Sequence, residues 1–282
     1  MLIRIEKILN KEKPDIVLVE GDTNTVLARA LATSKLMIKV GHVEAGLRSH
    51  DRAMPEEINR TLTDHISDYL FAPTEKAKEN LLKEGMDPNK IFVTGNTIVD
   101  AILQNITLIE DNSSNAADYF LATLHRQENV DKKERLRKII NGLELVAQEL
   151  KTPIIYPVHP RTTKKIKQFN IPIKRIKLIK PQGYLEFLKL LSKAKLVFTD
   201  SGGIQEEACI LKVPCVTLRY NTERPETIEV GSNVLAGAEP ESIFEKARLM
   251  LNKNRNWKNP FGDGKAAKKI VKIITNHFYR DL

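Results

Sequence analysis

The sequence has few cysteines, few aromatic residues and no long apolar run. Only Cys209 and Cys215 occur, which excludes a disulfide scaffold and a cysteine-based zinc site. Aromatic residues make up 6% of the chain, and no segment resembles the aromatic motif of an RNA-recognition module. No apolar run approaches the ~18 residues of a membrane-spanning helix, and the charged start is unlike a signal peptide. These absences predict a cytoplasmic protein that binds neither nucleic acid nor membrane.

The chain nevertheless carries a clear excess of positive charge. Lys and Arg number 45 against 36 Asp and Glu, which gives a net charge of +9 over 282 residues. The charge is spread along the chain, and its densest patch, at 164–175, alternates with apolar residues like the solvated side of a helix. Such a balance favours attraction toward phosphorylated small molecules. The length and the 41% hydrophobic content predict two globular domains.

Short apolar runs alternate with longer amphipathic stretches throughout the sequence. Strands are predicted at 15–20, 37–41, 69–72, 91–94, 119–124, 153–158, 176–179, 196–199, 214–218 and 233–236. Helices are predicted at 25–36, 74–84, 97–109, 131–150, 161–169, 182–193, 203–211, 240–252 and 264–278, with a further one starting at Pro55. This alternation is typical of an α/β protein with parallel sheets. The polar segment 110–118 is the predicted linker between two doubly wound halves with a cleft between them.

The first half has about four predicted strands and the second about six. The chain also opens inside a helical pattern, with Leu2, Ile5, Ile8 and Leu9 at helical spacing. A doubly wound sheet usually has about six strands. We therefore expect the first domain to be N-terminally incomplete.

Carboxylates follow two successive strands of the first half. Asp22 comes after the first strand, and Glu44 stands in the Gly-bounded loop after the next, beside His42 and Arg48. In an open α/β sheet ligands bind at the carboxyl ends of the strands, so these side chains could form an acid/base pair. Two structural alternatives stay open. Asp22 could cap the following helix, and Glu44 could pair with Arg48 across a surface turn.

Pro55 suits the first position of a helix, and the two glutamates that follow it suit the helix dipole. Arg60 could bond Glu56 one turn away. This structural account of Glu56 is the one that the residues by themselves favour.

Histidines follow two neighbouring strands of the second half. His125, with Arg126 beside it, comes after the first of these strands, and His159 comes after the next. A histidine at such a place can act as an acid or contact a phosphate, although a single histidine is more often structural.

The segment 199–208 passes from a buried strand through Ser201, Gly202 and Gly203 into a helix. Two glycines permit close backbone approach, and the free N–H groups of the helix start favour an anion such as a diphosphate. Glu207 could accept hydrogen bonds from ribose hydroxyls. A serine cap with an acidic first turn is the alternative, although it does not explain the glycine pair. The spacing matches neither a dinucleotide fingerprint nor a P-loop.

Two other residues of this half complete the candidates. Arg224 follows the next strand and could face a phosphate, while Phe187 is assigned to the core by its helical spacing with leucines. No spacing typical of a metal site occurs.

Taken together, these segments resemble the non-hydrolysing UDP-N-acetylglucosamine 2-epimerase family. The matching stretches run in order along essentially the whole chain: 20–25, 41–48, 55–60, 94–97, 125–126, 156–159, 199–207, 222–226 and 259–264. The resemblance implies a GT-B-like fold of two Rossmann-like domains. These would span 1–112, carrying the acid/base groups, and 113–263, binding the nucleotide, with the C-terminal helix 264–282 packing back on the first.

The implied activity is reversible epimerisation at C2 of UDP-N-acetylglucosamine to UDP-N-acetylmannosamine, by elimination and re-addition of UDP. No cofactor or metal is implied, the family is typically homodimeric, and its products serve cell-surface polysaccharide synthesis. The resemblance makes Asp22, Glu44, Glu56 and His125 catalytic. It assigns substrate contacts to His42, Arg60, His159, Phe187, Ser201, Gly202, Gly203, Glu207 and Arg224, with Phe187 near the uracil and Glu207 on the ribose.

The sequence departs from the family pattern at its start. Family members begin with a strand followed by a Gly-Thr-Arg-Pro-Glu loop, and the printed sequence does not contain that segment. This departure keeps open the alternative of a catalytically impaired UDP-sugar-binding fragment. A GT-B glycosyltransferase is a second alternative, because it would share the nucleotide-binding half.

Overall fold

The computed structural model of the protein describes residues 1–109 and 118–278, and the chain forms two compact units. Unit 1 comprises Met1–Leu103 and the chain from Phe261 onward, and unit 2 comprises Gln104–Pro260. All but the last residue of the predicted linker at 110–118 lies outside the described residues. The domain boundaries expected after 112 and after 263 stay predictions.

Unit 1 is built on a sheet whose described strands are all parallel and follow one another in chain order. Its strands are β1 (Ile16–Glu20), β2 (Lys39–Val43), β3 (Tyr69–Ala72) and β4 (Ile91–Val93). Its helices are α1 (Leu2–Glu12), α2 (Asn24–Lys35), α3 (Pro55–Ile66) and α4 (Glu75–Lys83), with a short 3₁₀ turn at Pro88–Lys90. Helix α5 (Thr97–Ile109) begins in unit 1 and continues past Leu103 into unit 2.

Unit 2 holds a parallel sheet of six described strands. They are β5 (Phe120–Thr123), β6 (Ile154–Pro157), β7 (Ile176–Ile179), β8 (Leu196–Thr199), β9 (Cys215–Thr217) and β10 (Asn233–Leu235). The helices between them are α6 (Gln127–Val130), α7 (Lys133–Glu149), α8 (Pro160–Gln168), α9 (Tyr184–Lys193), α10 (Gly202–Ile210), α11 (Pro225–Glu229) and α12 (Pro240–Leu251). The chain then returns to unit 1 as α13 (Ala266–Phe278).

The strand order of the second sheet contains a reversal. The order is β10-β9-β8-β5-β6-β7, so the chain runs outward from β5 to one edge and then starts again at β8 toward the other. β5 and β8 are hydrogen-bonded neighbours, with Thr123 opposite Thr199. The crevice beyond two such strand ends is where open α/β sheets bind ligands. The fold therefore predicts a ligand site among the residues that follow Thr123 and Thr199.

The core of unit 2 packs against both faces of its sheet. Phe120 and Phe198 point to the face covered by α7 and α12, while their neighbours Leu121 and Val197 pack with residues of α9 and α10 on the other. Alternate residues of a strand point to opposite faces, so a strand covered on both sides must be apolar throughout. This is why the runs 119–122 and 196–198 are continuous apolar stretches rather than alternating ones.

Helix α13 belongs to unit 1 through its N-terminus and its apolar face. The carboxylate of Asp100 on α5 accepts hydrogen bonds from the N–H groups of Ala266 at 3.0 Å and Ala267 at 3.1 Å. Ile270 is buried against Val43 and Phe71 of the sheet. A carboxylate on the first N–H groups satisfies donors that a helix start leaves free.

The α/β fold with two parallel sheets is confirmed, and each predicted strand has its counterpart among the described residues. The strand predicted at 37–41 is shifted, because His42 and Val43 continue the ladder to β3 while Met37 has a φ of 61° and is 90% exposed. The short helices α6 and α11 were not expected, since segments of four or five residues give no periodicity. No helix among the described residues is long and apolar enough to cross a bilayer.

Candidate functional site

In unit 1, Asp22 and Glu44 follow two hydrogen-bonded strands. Glu20 pairs with Val43 across β1 and β2, so the residues after them leave the sheet side by side. A Cβ placed on Gly21 would stand 3.7 Å from Oε2 of Glu44. Glu44 has a φ of 70°, a left-handed conformation that is costly for a residue with a side chain. Such conformations cluster at ligand sites, where surrounding contacts hold them.

Arg60 holds the carboxylate of Asp22 from α3. Its Nη2 makes an ion pair with Oδ2 of Asp22, and its Nη1 donates to Oε2 of Glu57 at 2.7 Å. The interpretation that Arg60 bonds Glu56 is wrong, since both bonding nitrogens face Asp22 and Glu57. Arg60 is 1% exposed, so its expected substrate contact stays a prediction while its structural role toward Asp22 is plain.

Asn59 ties the start of α3 to the same turn. Its Nδ2 donates to the carbonyl of Asp22 and to Oδ1 of Asn24, each at 2.9 Å. Glu56 is half-buried in the first turn of this helix, one turn before Arg60. The alternative in which Asp22 caps α2 is wrong, because Thr23 is the cap and accepts from Val26 N–H at 3.3 Å.

Asn96, which sequence reasoning did not assign, bonds the second carboxylate. It follows β4, and its Nδ2 donates to Oε1 of Glu44 at 3.1 Å while its Oδ1 accepts from the N–H of Ile98. The strand-end rule that found Asp22 and Glu44 applies equally to Asn96. An amide fixed at both ends of its side chain restricts the orientation of Glu44.

His42 is buried beneath this group, and both of its ring nitrogens face oxygen acceptors. Nδ1 lies 2.6 Å from Oδ1 of Asp64, and Nε2 lies 2.9 Å from the carbonyl of Gly21. Both nitrogens must then carry protons, which makes the ring a cation. Burial by itself would lower the pKa of His42, but the Asp64 carboxylate raises it above its ordinary value. Its expected substrate contact stays a prediction.

Arg48 completes this buried charge cluster. It pairs with Asp64 at 2.7 Å and with Glu84 at 2.6 Å. The alternative that paired Arg48 with Glu44 is wrong, because the guanidinium points to these two other carboxylates.

In unit 2, His125 follows β5 and Asp200 follows β8, at the reversal of strand order. Nδ1 of His125 lies 2.9 Å from Oδ1 of Asp200. The side chain of His125 is 55% exposed, whereas that of Asp200 is fully buried. The histidine is thus anchored on one side and open on the other.

The two glycines in the turn after Asp200 differ in the room they leave for a side chain. A Cβ on Gly203 would meet nothing within 4 Å, whereas one on Gly202 would stand 2.3 Å from Oε1 of Glu223. Ser201 occupies the N-cap position of α10, but its hydroxyl makes no cap bond. The open side of the turn therefore presents the start of a nine-residue helix to any bound group.

Two buried residues with ionisable side chains lie on or beside this helix: Glu207 on it and Arg224 beside it. Arg224 lies with its guanidinium 2.6 Å from Oε1 of Glu206, and its Cζ is 3.7 Å from a Cβ placed on Gly202. Glu207 is 7% exposed, and burial raises the pKa of its carboxyl to about 7. A buried carboxyl beside a candidate ligand site is a typical binding group.

The remaining predicted contacts lie elsewhere in unit 2. His159 follows β6 and caps α8, where its Nδ1 accepts from the N–H of Arg161 at 3.2 Å. Phe187 is half-buried in the first turn of α9 and packs against one of the two core clusters. Their roles stay predictions. Within the described ranges, no group of three or more His, Cys, Asp or Glu side chains is placed to hold a metal ion.

The family model described as UDP-N-acetylglucosamine 2-epimerase matches residues 1–275 of this chain. The chain belongs to that family. It is 61% identical over 289 residues to the UDP-N-acetylglucosamine 2-epimerase of Methanocaldococcus jannaschii, an alignment that covers 98% of this chain and 79% of the relative. It is 57% identical over 288 residues to the enzyme of that name from Methanococcus maripaludis, covering 97% of this chain and 79% of the relative.

A solved structure agrees with this assignment to the UDP-N-acetylglucosamine 2-epimerase family. The crystal structure of the Methanocaldococcus jannaschii enzyme in complex with UDP-GlcNAc and UDP matches with a TM-score of 0.93 at 61% identity. The match covers 98% of this chain and 79% of that chain. The family resemblance and the GT-B-like fold expected from the sequence motifs are both confirmed.

Proposed function

We propose that this chain catalyses the reversible conversion of UDP-N-acetylglucosamine to UDP-N-acetylmannosamine by inversion at C2. The observation that carries the proposal is the set of strand-end groups: Asp22 and Glu44 in unit 1, His125 and the open Ser201 turn in unit 2. Family membership and the relative that binds UDP-GlcNAc and UDP support this substrate.

The chemistry explains why both kinds of group are needed. The C2 proton of the sugar has no neighbouring carbonyl and is too weakly acidic for simple removal and return. Breakage of the anomeric C–O bond puts positive charge on C1 and acidifies C2–H. UDP leaves to give a 2-acetamidoglucal, and its re-addition with a proton delivered from the other face inverts C2.

The Ser201 turn, the carboxylates of unit 1 and Glu207 each have a role in these steps. The N–H groups that follow Ser201 would stabilise the charge of the departing diphosphate, and such donors contribute about 3 kcal/mol each. Asp22, Glu44 and Glu56 would stabilise the cationic C1 and exchange the C2 proton. Glu207 would accept hydrogen bonds from the ribose. The reaction is redox-neutral and returns every proton and electron pair that it displaces.

The test is exchange of the C2 hydrogen of UDP-N-acetylglucosamine in deuterium oxide without any sugar acceptor. The wild type should incorporate deuterium at C2, and Asp22→Asn, Glu44→Gln and Glu56→Gln should each slow incorporation by about 100-fold or more. The matched control is Glu75→Gln, which alters an exposed glutamate in the first turn of α4 and should exchange like the wild type. Undiminished exchange in all three active-site variants would refute the assignment.

The same experiment separates the alternatives. A glycosyltransferase needs an acceptor and leaves C2–H in place, and a binding fragment would retain UDP without exchange. The cytoplasmic location and the homodimer belong to this proposal and stay predictions.

A further inference from the structure

The buried carboxylate of Asp200 has no role in the chemistry above, although it contacts His125, one of the strand-end groups on which the proposed function rests. Nδ1 of His125 lies 2.9 Å from Oδ1 of Asp200, and the side chain of His125 is 55% exposed. Asp200 also directly precedes the Ser201 turn. One residue thus connects the candidate catalytic histidine to the candidate diphosphate site.

Asp200 is held rigidly by donors from the loop after β5. Its Oδ2 accepts from the N–H of Arg126 and from Nδ2 of Asn129, each at 3.0 Å. The N–H of His125 lies 3.1 Å from both carboxylate oxygens. Burial by itself would raise the pKa of Asp200, but the hydrogen bonds from His125 and Asn129 bring it below its ordinary value. The group is therefore an ionised, acceptor-only carboxylate.

We infer that Asp200 is a positioning residue that keeps the proton of His125 on Nδ1 and so presents Nε2 to the substrate. A carboxylate with no proton can only accept, so Nδ1 must donate to it and the neutral ring has its lone pair on Nε2. The inference rests on the proposed function for the role of His125. Control of the tautomer in this way decides whether a histidine can exchange a proton with substrate.

The variant Asp200→Asn tests this arrangement because the surrounding donors fix which of its two side-chain amide atoms faces His125. Arg126 N–H and Asn129 Nδ2 converge on the Oδ2 position, so the amide oxygen belongs there and the amide nitrogen faces His125. A donor toward Nδ1 then forces the proton of the neutral ring to Nε2.

The measurement is nitrogen-15 NMR of the histidine side chains at about pH 8, where the unperturbed imidazole is neutral. The His125 signals are assigned by their loss in His125→Gln. The wild type should carry its proton on Nδ1, and Asp200→Asn should carry it on Nε2. A wild-type ring protonated chiefly on Nε2 would overturn the inference, and that spectrum is decisive whether or not the variant folds.

Kinetics provide the second readout. Asp200→Asn should lower kcat for epimerisation by about 100-fold or more while KM changes little. The control Asp131→Asn, an aspartate paired with Arg161 in the same unit, should leave kcat unchanged. An Asp200→Asn enzyme with wild-type kcat contradicts the inference. Absence of C2 exchange in the wild type would instead refute the proposed function, and the spectrum would still locate the proton.

Discussion

His42 and Asp64 form a fully buried ion pair under the strand ends of unit 1, with Nδ1 and Oδ1 2.6 Å apart. The pair is connected to the candidate site by a single hydrogen bond. The other ring nitrogen of His42 bonds the carbonyl of Gly21, the residue before Asp22. Asp64 also pairs with Arg48 and accepts from the N–H of Gly46 at 3.1 Å. Burial by itself would raise the pKa of Asp64, but the two cations lower it.

Replacement of this carboxylate should destabilise the protein strongly. Asp64→Asn leaves His42 and Arg48 buried with no counter-charge from this residue, and removing one partner of a buried pair costs about 3–5 kcal/mol. The measurement is urea denaturation followed by far-UV circular dichroism. Asp263→Asn, which removes an exposed partner of Lys269, is the control and should leave the free energy of unfolding nearly unchanged. Equal effects of the two variants would contradict the assigned role of Asp64.

Arg60→Lys should impair turnover without weakening nucleotide binding. The guanidinium reaches Glu57 and Asp22 with separate nitrogens, and a single ammonium cannot hold both carboxylates in place. Misplacement of Asp22 should lower kcat by about 10–100-fold. The dissociation constant of UDP, measured by calorimetry, should not change, because the Ser201 turn lies in unit 2. Arg29→Lys, an exposed change on α2, serves as the control.

The opposite result for Arg60→Lys would contradict this positioning role. A weakened affinity for substrate with unchanged kcat would indicate that Arg60 contacts the ligand, as the family resemblance implies, rather than orienting Asp22.

Glu207→Gln should stabilise the ligand-free protein in a pH-dependent way. The pKa of Glu207 rises from 4.5 to about 7 on folding. Over this window the folded state keeps a proton that the unfolded state has released, so the wild-type free energy of unfolding falls as pH rises. The loss is complete above about pH 7 and amounts to about 3 kcal/mol. Glutamine does not titrate, so the variant's advantage should grow from pH 4.5 to pH 7.

Trp257 is a local probe for this measurement, because its indole Nε1 donates to the carbonyl of Cys209 on α10 at 2.9 Å. Urea denaturation followed by its fluorescence gives the free energy of unfolding at each pH. The same variant should bind UDP more weakly, since glutamine replaces one of the two carboxylate oxygens with an NH2 donor and removes the charge that strengthens hydrogen bonds from the ribose hydroxyls. A variant advantage that does not depend on pH would show that Glu207 is already ionised in the folded protein.

The two glycines of the Ser201 turn should respond differently to substitution by alanine. Gly203→Ala adds a methyl group into open space, so the protein should fold normally and UDP should bind about 10-fold more weakly or worse. Gly202→Ala instead meets the carboxylate of Glu223, which is held by Arg219 at 2.8 Å. Overpacking of this kind costs about 1–3 kcal/mol, visible as a lower melting temperature. Wild-type UDP affinity in Gly203→Ala would contradict a diphosphate at this turn.

The α/β architecture could be predicted from local pattern because strand and helix have different periods. Runs such as 196–198 are apolar at every position, which is typical of strands covered on both faces, and the helices between them repeat at helical spacing. Boundaries were less certain where pairing rather than composition decides them. β2 extends to Val43 because β3 offers it hydrogen bonds, a fact that no window of sequence contains.

The motifs also located the chemical groups, since carboxyl ends of parallel strands are where such residues gather. The hydrogen-bond and ion-pair partners of these groups could not be predicted in the same way. Arg60 lies one turn from Glu56 in the sequence but bonds Asp22, 38 residues away. Nδ1 of His125 likewise lies 2.9 Å from Asp200, 75 residues away. Linear spacing describes neighbours on one helix or strand, whereas charges buried together select their partners by packing and desolvation. Chain order was therefore enough for the fold and the candidate groups, and only the folded structure decided which of them hold one another in place.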